Sequence, residues 1–121
     1  VFEITVLSLP SGAVVSIVGD IDLATIPEFR SEVLRAMDLF GPSLVFDFSG
    51  VDVFDTVALG VVLEAVKRSR SRGGSVAIAD PSPSVQSDFD ATRVSEILPL
   101  FPSVDDAFDS MNSASESNTV K

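Results

Sequence analysis

The chain has 121 residues, of which 45% are hydrophobic, enough for one domain with one core, so neither a disordered segment nor a disulfide-stapled mini-protein fits. It contains no cysteine and no histidine, which excludes the usual zinc ligands, thiol nucleophiles and imidazole bases together. Eighteen acidic residues against eight basic ones leave a formal net charge of -10, which argues against nonspecific attraction to nucleic acid or to an anionic membrane.

Taken in chain order, Glu3 to Leu9 and Ala13 to Gly19 are two β-rich runs joined by Pro10-Ser11-Gly12, a hairpin connection. No basic stretch accompanies Val1 to Leu7, and Glu3 interrupts it, so an intact signal peptide is not expected and a cytoplasmic location is. No apolar run approaches the roughly 20 residues that a membrane-spanning helix needs. From Ile26 onward, Ile26, Phe29, Val33, Met37 and Phe40 recur at helical spacing, with Pro27 in the first turn and Gly41-Pro42 as the stop. Leu44 to Phe48 is a short apolar run suited to a central strand, followed by Ser49-Gly50 and an acidic connection from Asp52 to Asp55.

A second helix is predicted from Thr56 to Arg72, with Leu59, Val62, Leu63 and Val66 facing inward. Four of the eight basic residues, Lys67, Arg68, Arg70 and Arg72, lie in its last turns before Gly73-Gly74. Cations there complement the helix dipole, which favours a structural role over a nucleic-acid patch. Ser75 to Ala79 reads as the fourth strand. Ser82-Pro83 then caps a third helix with Val85 and Phe89 inward, and Ser103 with Asp106 resembles a capping box for a last helix carrying Val104, Phe108 and Met111. From Asn112 to Lys121 the chain is small and polar, so a domain over residues 1 to 111 and a flexible tail over 112 to 121 are expected. The pattern implies an α/β fold: a mixed four-stranded sheet with an N-terminal β-hairpin and about four helices, its bridging helices making right-handed crossovers.

Functional loops of such sheets gather outside the carboxyl ends of the parallel strands, which brings Asp20, Asp22, Asp52, Asp55 and Asp80 toward one rim. Aspartates at such places favour turns and helix caps. A divalent-metal site needs several convergent oxygens, and nothing in the spacing demands one. A phospho-receiver needs a basic side chain to answer the phosphate, yet Asp80-Pro81-Ser82-Pro83 has none nearby. Serine hydrolysis lacks its base. No catalytic residue, metal ligand or cofactor is assigned, and the chain reads as a binding module rather than an enzyme.

The stretch Val53-Phe54-Asp55-Thr56-Val57-Ala58-Leu59-Gly60-Val61-Val62-Leu63 resembles the signature at the start of the second helix of STAS-domain anti-sigma factor antagonists, an apolar pair followed by Asp-Ser-Ser-Gly-Leu-Gly. Val18-Gly19-Asp20-Ile21-Asp22-Leu23 resembles that family's Gly-Glu-Leu-Asp segment. Gly73-Gly74-Ser75-Val76-Ala77-Ile78 and Ser82-Pro83-Ser84-Val85 with Phe89 are similar to its later strand and helix. The likeness covers residues 3 to 111 in order. It implies a STAS-like fold and a partner-switching role, in which the antagonist binds an anti-sigma factor of serine/threonine kinase type and so frees a sigma factor. It further implies partner contacts by Asp20, Asp22, Asp55, Thr56, Val57, Ala58 and Gly60, with no nucleic acid or membrane as partner. The family's kinase phosphorylates the second Ser of the signature, and here Val57 occupies that position and Ala58 replaces the Gly. Thr56 is the neighbouring hydroxyl, but adjacent helical residues point about 100° apart. A helix-start hydroxyl bonded to backbone donors is the role favoured for it over that of phosphate acceptor. A STAS module in another signalling complex, or a small-ligand or metal sensor using the acidic rim, are the alternatives.

Overall fold

A computed structural model describes residues 2–10 and 12–119, with side chains described up to Met111. β1 (Glu3–Leu9) and β2 (Gly12–Ile21) pair antiparallel from Glu3 opposite Val18 to Leu9 opposite Gly12. The chain then forms α1 (Ile26–Phe40), β3 (Ser43–Phe54), a 3-10 turn (Thr56–Ala58) running into α2 (Leu59–Ser71), and β4 (Val76–Ala79). α3 (Pro83–Ala91), a second 3-10 turn (Val94–Glu96), β5 (Leu100–Phe101) and α4 (Val104–Thr119) complete it. The sheet order is β1-β2-β3-β4-β5, parallel from β2 onward.

Five strands stand where four are expected. β5 is only two residues between Pro99 and Pro102, so the sequence there looks like a loop. It joins the edge through Ile78 N donating to the Pro99 carbonyl (3.0 Å) and Asp80 N donating to the Phe101 carbonyl (2.8 Å). β3 also runs beyond the expected end at Phe48, through Ser49-Gly50 to Phe54. It stays paired because β3 takes in one extra residue at each of two register shifts, opposite Ser16 to Val18 and opposite Gly19 to Ile21 of β2, which carry the ladder past the break. The acidic stretch from Asp52 is therefore strand until Phe54.

Helices α1, α2 and α3 share one face of the sheet. Strand order following chain order, with right-handed crossovers, requires that placement. Phe48 sits fully buried at the centre of this core, with the rings of Phe29, Phe46, Phe54 and Phe89 at centroid distances of 6.3, 5.5, 5.4 and 6.0 Å. Each such pair adds about 0.5 to 1.5 kcal/mol beyond the burial itself, so the end of β3, α1 and α3 are held together. α4 covers the opposite face, packing buried Ala107 with Val104 and Met111 on Val14, Val45, Ala77 and Ala79. Its backbone continues to Thr119, past the expected domain end at Met111. The expected tail over 112–121 falls outside the residues whose side chains are described.

Gly12 permits the close approach of β2 to β3, since a Cβ there would lie 1.6 Å from the Ser43 carbonyl oxygen. Gly41, at φ 117°, stops α1 while its N–H bonds the Met37 carbonyl. In α2, Leu59, Val62 and Val66 face inward as expected, but Leu63 is 39% exposed, and Val61, Ala65 and Ser69 are buried instead. The buried line runs through Ala58, Val62, Ala65 and Ser69, and Leu63, about 100° around from Val62, falls beside it. At the end of α2, Arg72 donates to the Met37 carbonyl (3.3 Å) and Arg68 pairs with Glu64 (3.2 Å), which agrees with a structural role for these cations.

Candidate functional site

The carboxyl ends of β2 and β3 carry two adjoining loops. Asp55 N donates to the Ile21 carbonyl (2.8 Å), stitching the start of α2 to the end of β2. Ile21 lies opposite Phe54 in the ladder, so the segments Asp20-Ile21-Asp22 and Asp55-Thr56-Val57 are neighbours on one rim. A helix start is fixed behind them: Ser82 Oγ donates to the Val51 carbonyl (2.6 Å) while heading α3.

Asp22 shapes the first loop. Its Oδ1 accepts from the N–H groups of Ala24 (3.0 Å) and Thr25 (3.1 Å), and its own N–H donates to Thr25 Oγ1 (2.9 Å). Thr25 Oγ1 donates in turn to the Asp20 carbonyl (2.9 Å). This closed set of bonds is the aspartate turn chemistry that competes with helix formation, and it delays α1 until Ile26. Thr25 is a member that the sequence reading did not single out.

Asp55 opens the second loop. Its Oδ1 accepts from Val57 N (2.8 Å) and its carbonyl from Ala58 N (2.8 Å), so Asp55 is the N-cap of the 3-10 turn that leads into α2. Such a cap contributes about 0.5 to 2 kcal/mol. The helix-start hydroxyl role favoured for Thr56, next to it, is not what the structure shows: the capping bond is made by Asp55, and Thr56 is exposed.

The described rim combines exposed acid with exposed apolar surface. Asp20, Asp22 and Asp52 line an open cleft of about 350 Å³ with Phe2, Gly19 and Thr25. Beside it Leu23 is 68%, Val53 50% and Val57 59% exposed. Sequence reasoning assigns neither Leu23 nor Val53 to the rim; their signal is an apolar residue directly after an acidic one. Of the residues expected to contact a partner, Asp20, Thr56, Val57 and Gly60 are exposed and Asp22 and Asp55 half-buried. Ala58 is fully buried beneath the turn and offers no surface. A Cβ on Gly60 would meet nothing within 4 Å, so this face of α2 is open.

Among the described residues there is no group of three or more His, Cys, Asp or Glu side chains placed to hold a metal ion. Nor is any described helix long and apolar enough to cross a membrane. The perturbed titrating pair lies away from the rim. Arg30 bonds Glu64 through Nε (2.9 Å) and Nη2 (2.8 Å), and those bonds hold the Glu64 carboxyl below its ordinary range against the opposing effect of burial, with Arg68 adding to the depression.

Among solved structures, an anti-sigma factor antagonist from Mycobacterium paratuberculosis is 23% identical, with 93% of this chain and 95% of that one covered and a TM-score of 0.83. The anti-sigma factor antagonist SpoIIAA in its unphosphorylated form gives 17% identity, coverage of 93% and 97%, and a TM-score of 0.78. The murine Solute Carrier 26 family member A9 anion transporter also contains this fold: 88% of this chain matches 18% of the transporter, at 18% identity and a TM-score of 0.73. No curated protein sequence matches the chain. At these identities the structures establish the fold. The family model for the STAS domain matches residues 3–107, nearly the whole of the described domain and both rim loops, and the chain belongs to the STAS-domain family.

Proposed function

We propose that the chain is an anti-sigma factor antagonist of the bacterial cytoplasm, which docks an anti-sigma factor of kinase type through the rim of Asp20, Asp22, Asp55, Thr56, Val57 and Gly60 and so releases a sigma factor for transcription. The observation that carries the reading is Val57: an apolar side chain, 59% exposed, held at the head of α2 by the bond from its N–H to Asp55. Exposed apolar groups ringed by polar ones mark protein contacts, and Leu23 and Val53, which follow Asp22 and Asp52 in the chain, are exposed apolar side chains too. Because Val57 has no hydroxyl, the partner's kinase activity has nothing to modify at the position the family uses. Docking is therefore not switched there.

Titration calorimetry of the parent against the anti-sigma kinase, with Asp22→Ala and Thr56→Ala measured in parallel, tests the reading. Asp22 holds its own loop, so each variant is first checked for native circular dichroism. Weakened binding is expected for both; if both bind as the parent does, this rim is not the docking surface. The resemblance to an 18% portion of a transporter favours one second reading, a STAS module serving inside a larger assembly. Its partner would then be another part of that assembly.

A further inference from the structure

The two faces of the sheet are closed by very different means. On the first, the fully buried rings of Phe29, Phe46, Phe48 and Phe89 pack together, and the bonds of Arg30 to Glu64 tie α1 to α2. On the second, α4 rests on Val14, Val45, Ala77 and Ala79. Among the described side chains of α4, the methyl of Ala107 is fully buried, while Val104 and Met111 are half-buried. Two residues further along β2 and β3 the same face turns polar: Ser16 Oγ donates to Asp47 Oδ2 (3.3 Å) and Ser49 Oγ to Asp47 Oδ1 (2.8 Å). Among the described residues no side-chain hydrogen bond or ion pair joins α4 to the sheet. Its Asp106 N–H donates to Ser103 Oγ (3.1 Å), within its own cap.

The sequence of α4 does not hold a helix unaided. From Asn112 to Thr119 it is rich in serine and asparagine, which are weaker helix formers, and its span from Val104 carries Asp105, Asp106, Asp109 and Glu116 with no basic partner in the helix. A single helix of this length and composition is marginal in water, so α4 is helical because it lies on the sheet. The residues beneath it include none from α1, α2 or α3, and its loss leaves the first core whole. We propose that α4 is a strap that opens by itself: it leaves the sheet and unwinds beyond Pro102-Ser103 while the first core stays closed, baring Val14, Val45, Ala77 and Ala79. A parallel sheet needs cover on both faces, so the open form is the minor one. None of the rim residues takes part in the opening.

The chain has no cysteine, so one introduced thiol reports exposure without background. Ala77→Cys places it under α4, at a site 1% exposed, and Ala65→Cys places it in the first core, at a site 0% exposed. Both variants are first checked for native circular dichroism. With a small alkylating reagent in native buffer, Ala77→Cys is expected to react at least about tenfold faster than Ala65→Cys, because local openings lie below the global free energy. Its rate should stay nearly flat as urea is raised below the unfolding transition, since a local opening exposes little surface, whereas that of Ala65→Cys should climb steeply. Equal rates with the same steep urea dependence overturn the proposal. Hydrogen exchange of the parent chain, free of any substitution, gives a second reading: amides of residues 107–111 should exchange at least about tenfold faster than those of residues 44–48. Equal protection of the two segments overturns the proposal as well.

Discussion

If the chain is the antagonist proposed above, restoring a hydroxyl by Val57→Ser should turn a constitutive binder into a switchable one. The substitution is nearly silent for stability, because the side chain is 59% exposed and the bond that positions residue 57 runs through its backbone N–H to Asp55. Changes at such surface positions stay within about 0.5 kcal/mol. Once phosphorylated, the new serine carries about -1.5 to -2 charges two residues from the Asp55 carboxylate, where the parent exposes a compact apolar group. Leaving a charged group in a contact built for a neutral one costs about 3 kcal/mol. At about 1.4 kcal/mol per factor of ten, binding should weaken on the order of a hundredfold. Incubation with the anti-sigma kinase, ATP and magnesium, followed by intact-mass measurement, should show one phosphate on Val57→Ser and an unmodified residue 57 in the parent. Calorimetry before and after then reads the affinity. Stoichiometric phosphorylation of the parent at Thr56 with loss of binding would refute the reasoning, as would a phosphorylated Val57→Ser that binds as tightly as before.

Two further outcomes concern the scaffold. Leu63→Ala, at a 39% exposed site, should cost less than about 1 kcal/mol, whereas fully buried Val62→Ala loses two methyl groups at about 0.8 kcal/mol each plus a cavity term; urea titration in which Leu63→Ala is the more damaging would reverse the assignment of the α2 stripe. The Glu64 carboxyl is depressed by Arg30, so its contribution is present above the ordinary value of 4.5 and disappears as pH falls through its lower folded value. The melting-temperature advantage of the parent over Glu64→Gln should accordingly hold near neutrality and shrink on acidification below that ordinary value, though it is small throughout because the pair is exposed. An advantage that persists unchanged into strong acid would contradict this.

Much of the architecture was legible because local chemistry and tertiary demand agree. β1 and α1 end where the sequence pattern ends them, at Leu9 and Phe40. Gly41 with Pro42 breaks the helix whatever surrounds it, and Ser82 and Ser103 cap the helices they were expected to cap. The rim loops were legible for a related reason: Asp22 and Asp55 act on backbone groups two or three residues away, an interaction that sequence spacing expresses.

What the sequence by itself determined was therefore the set of elements whose causes lie within a few residues, together with the absence of a hydroxyl at Val57. Tertiary structure alone decided the rest. Leu100–Phe101 is a strand only because β4 offers it a hydrogen-bonding edge, and β3 runs through Ser49-Gly50 only because β2 goes on pairing with it across two bulges. Leu63 faces outward because the neighbours of α2 centre its buried line elsewhere. Ala58 lies beneath the rim rather than on it, and the segments Asp20-Ile21-Asp22 and Asp55-Thr56-Val57 are neighbours only once Asp55 is tied to Ile21. Each of these depends on a contact across many residues of chain, and periodicity carries no information about which distant segment will supply it.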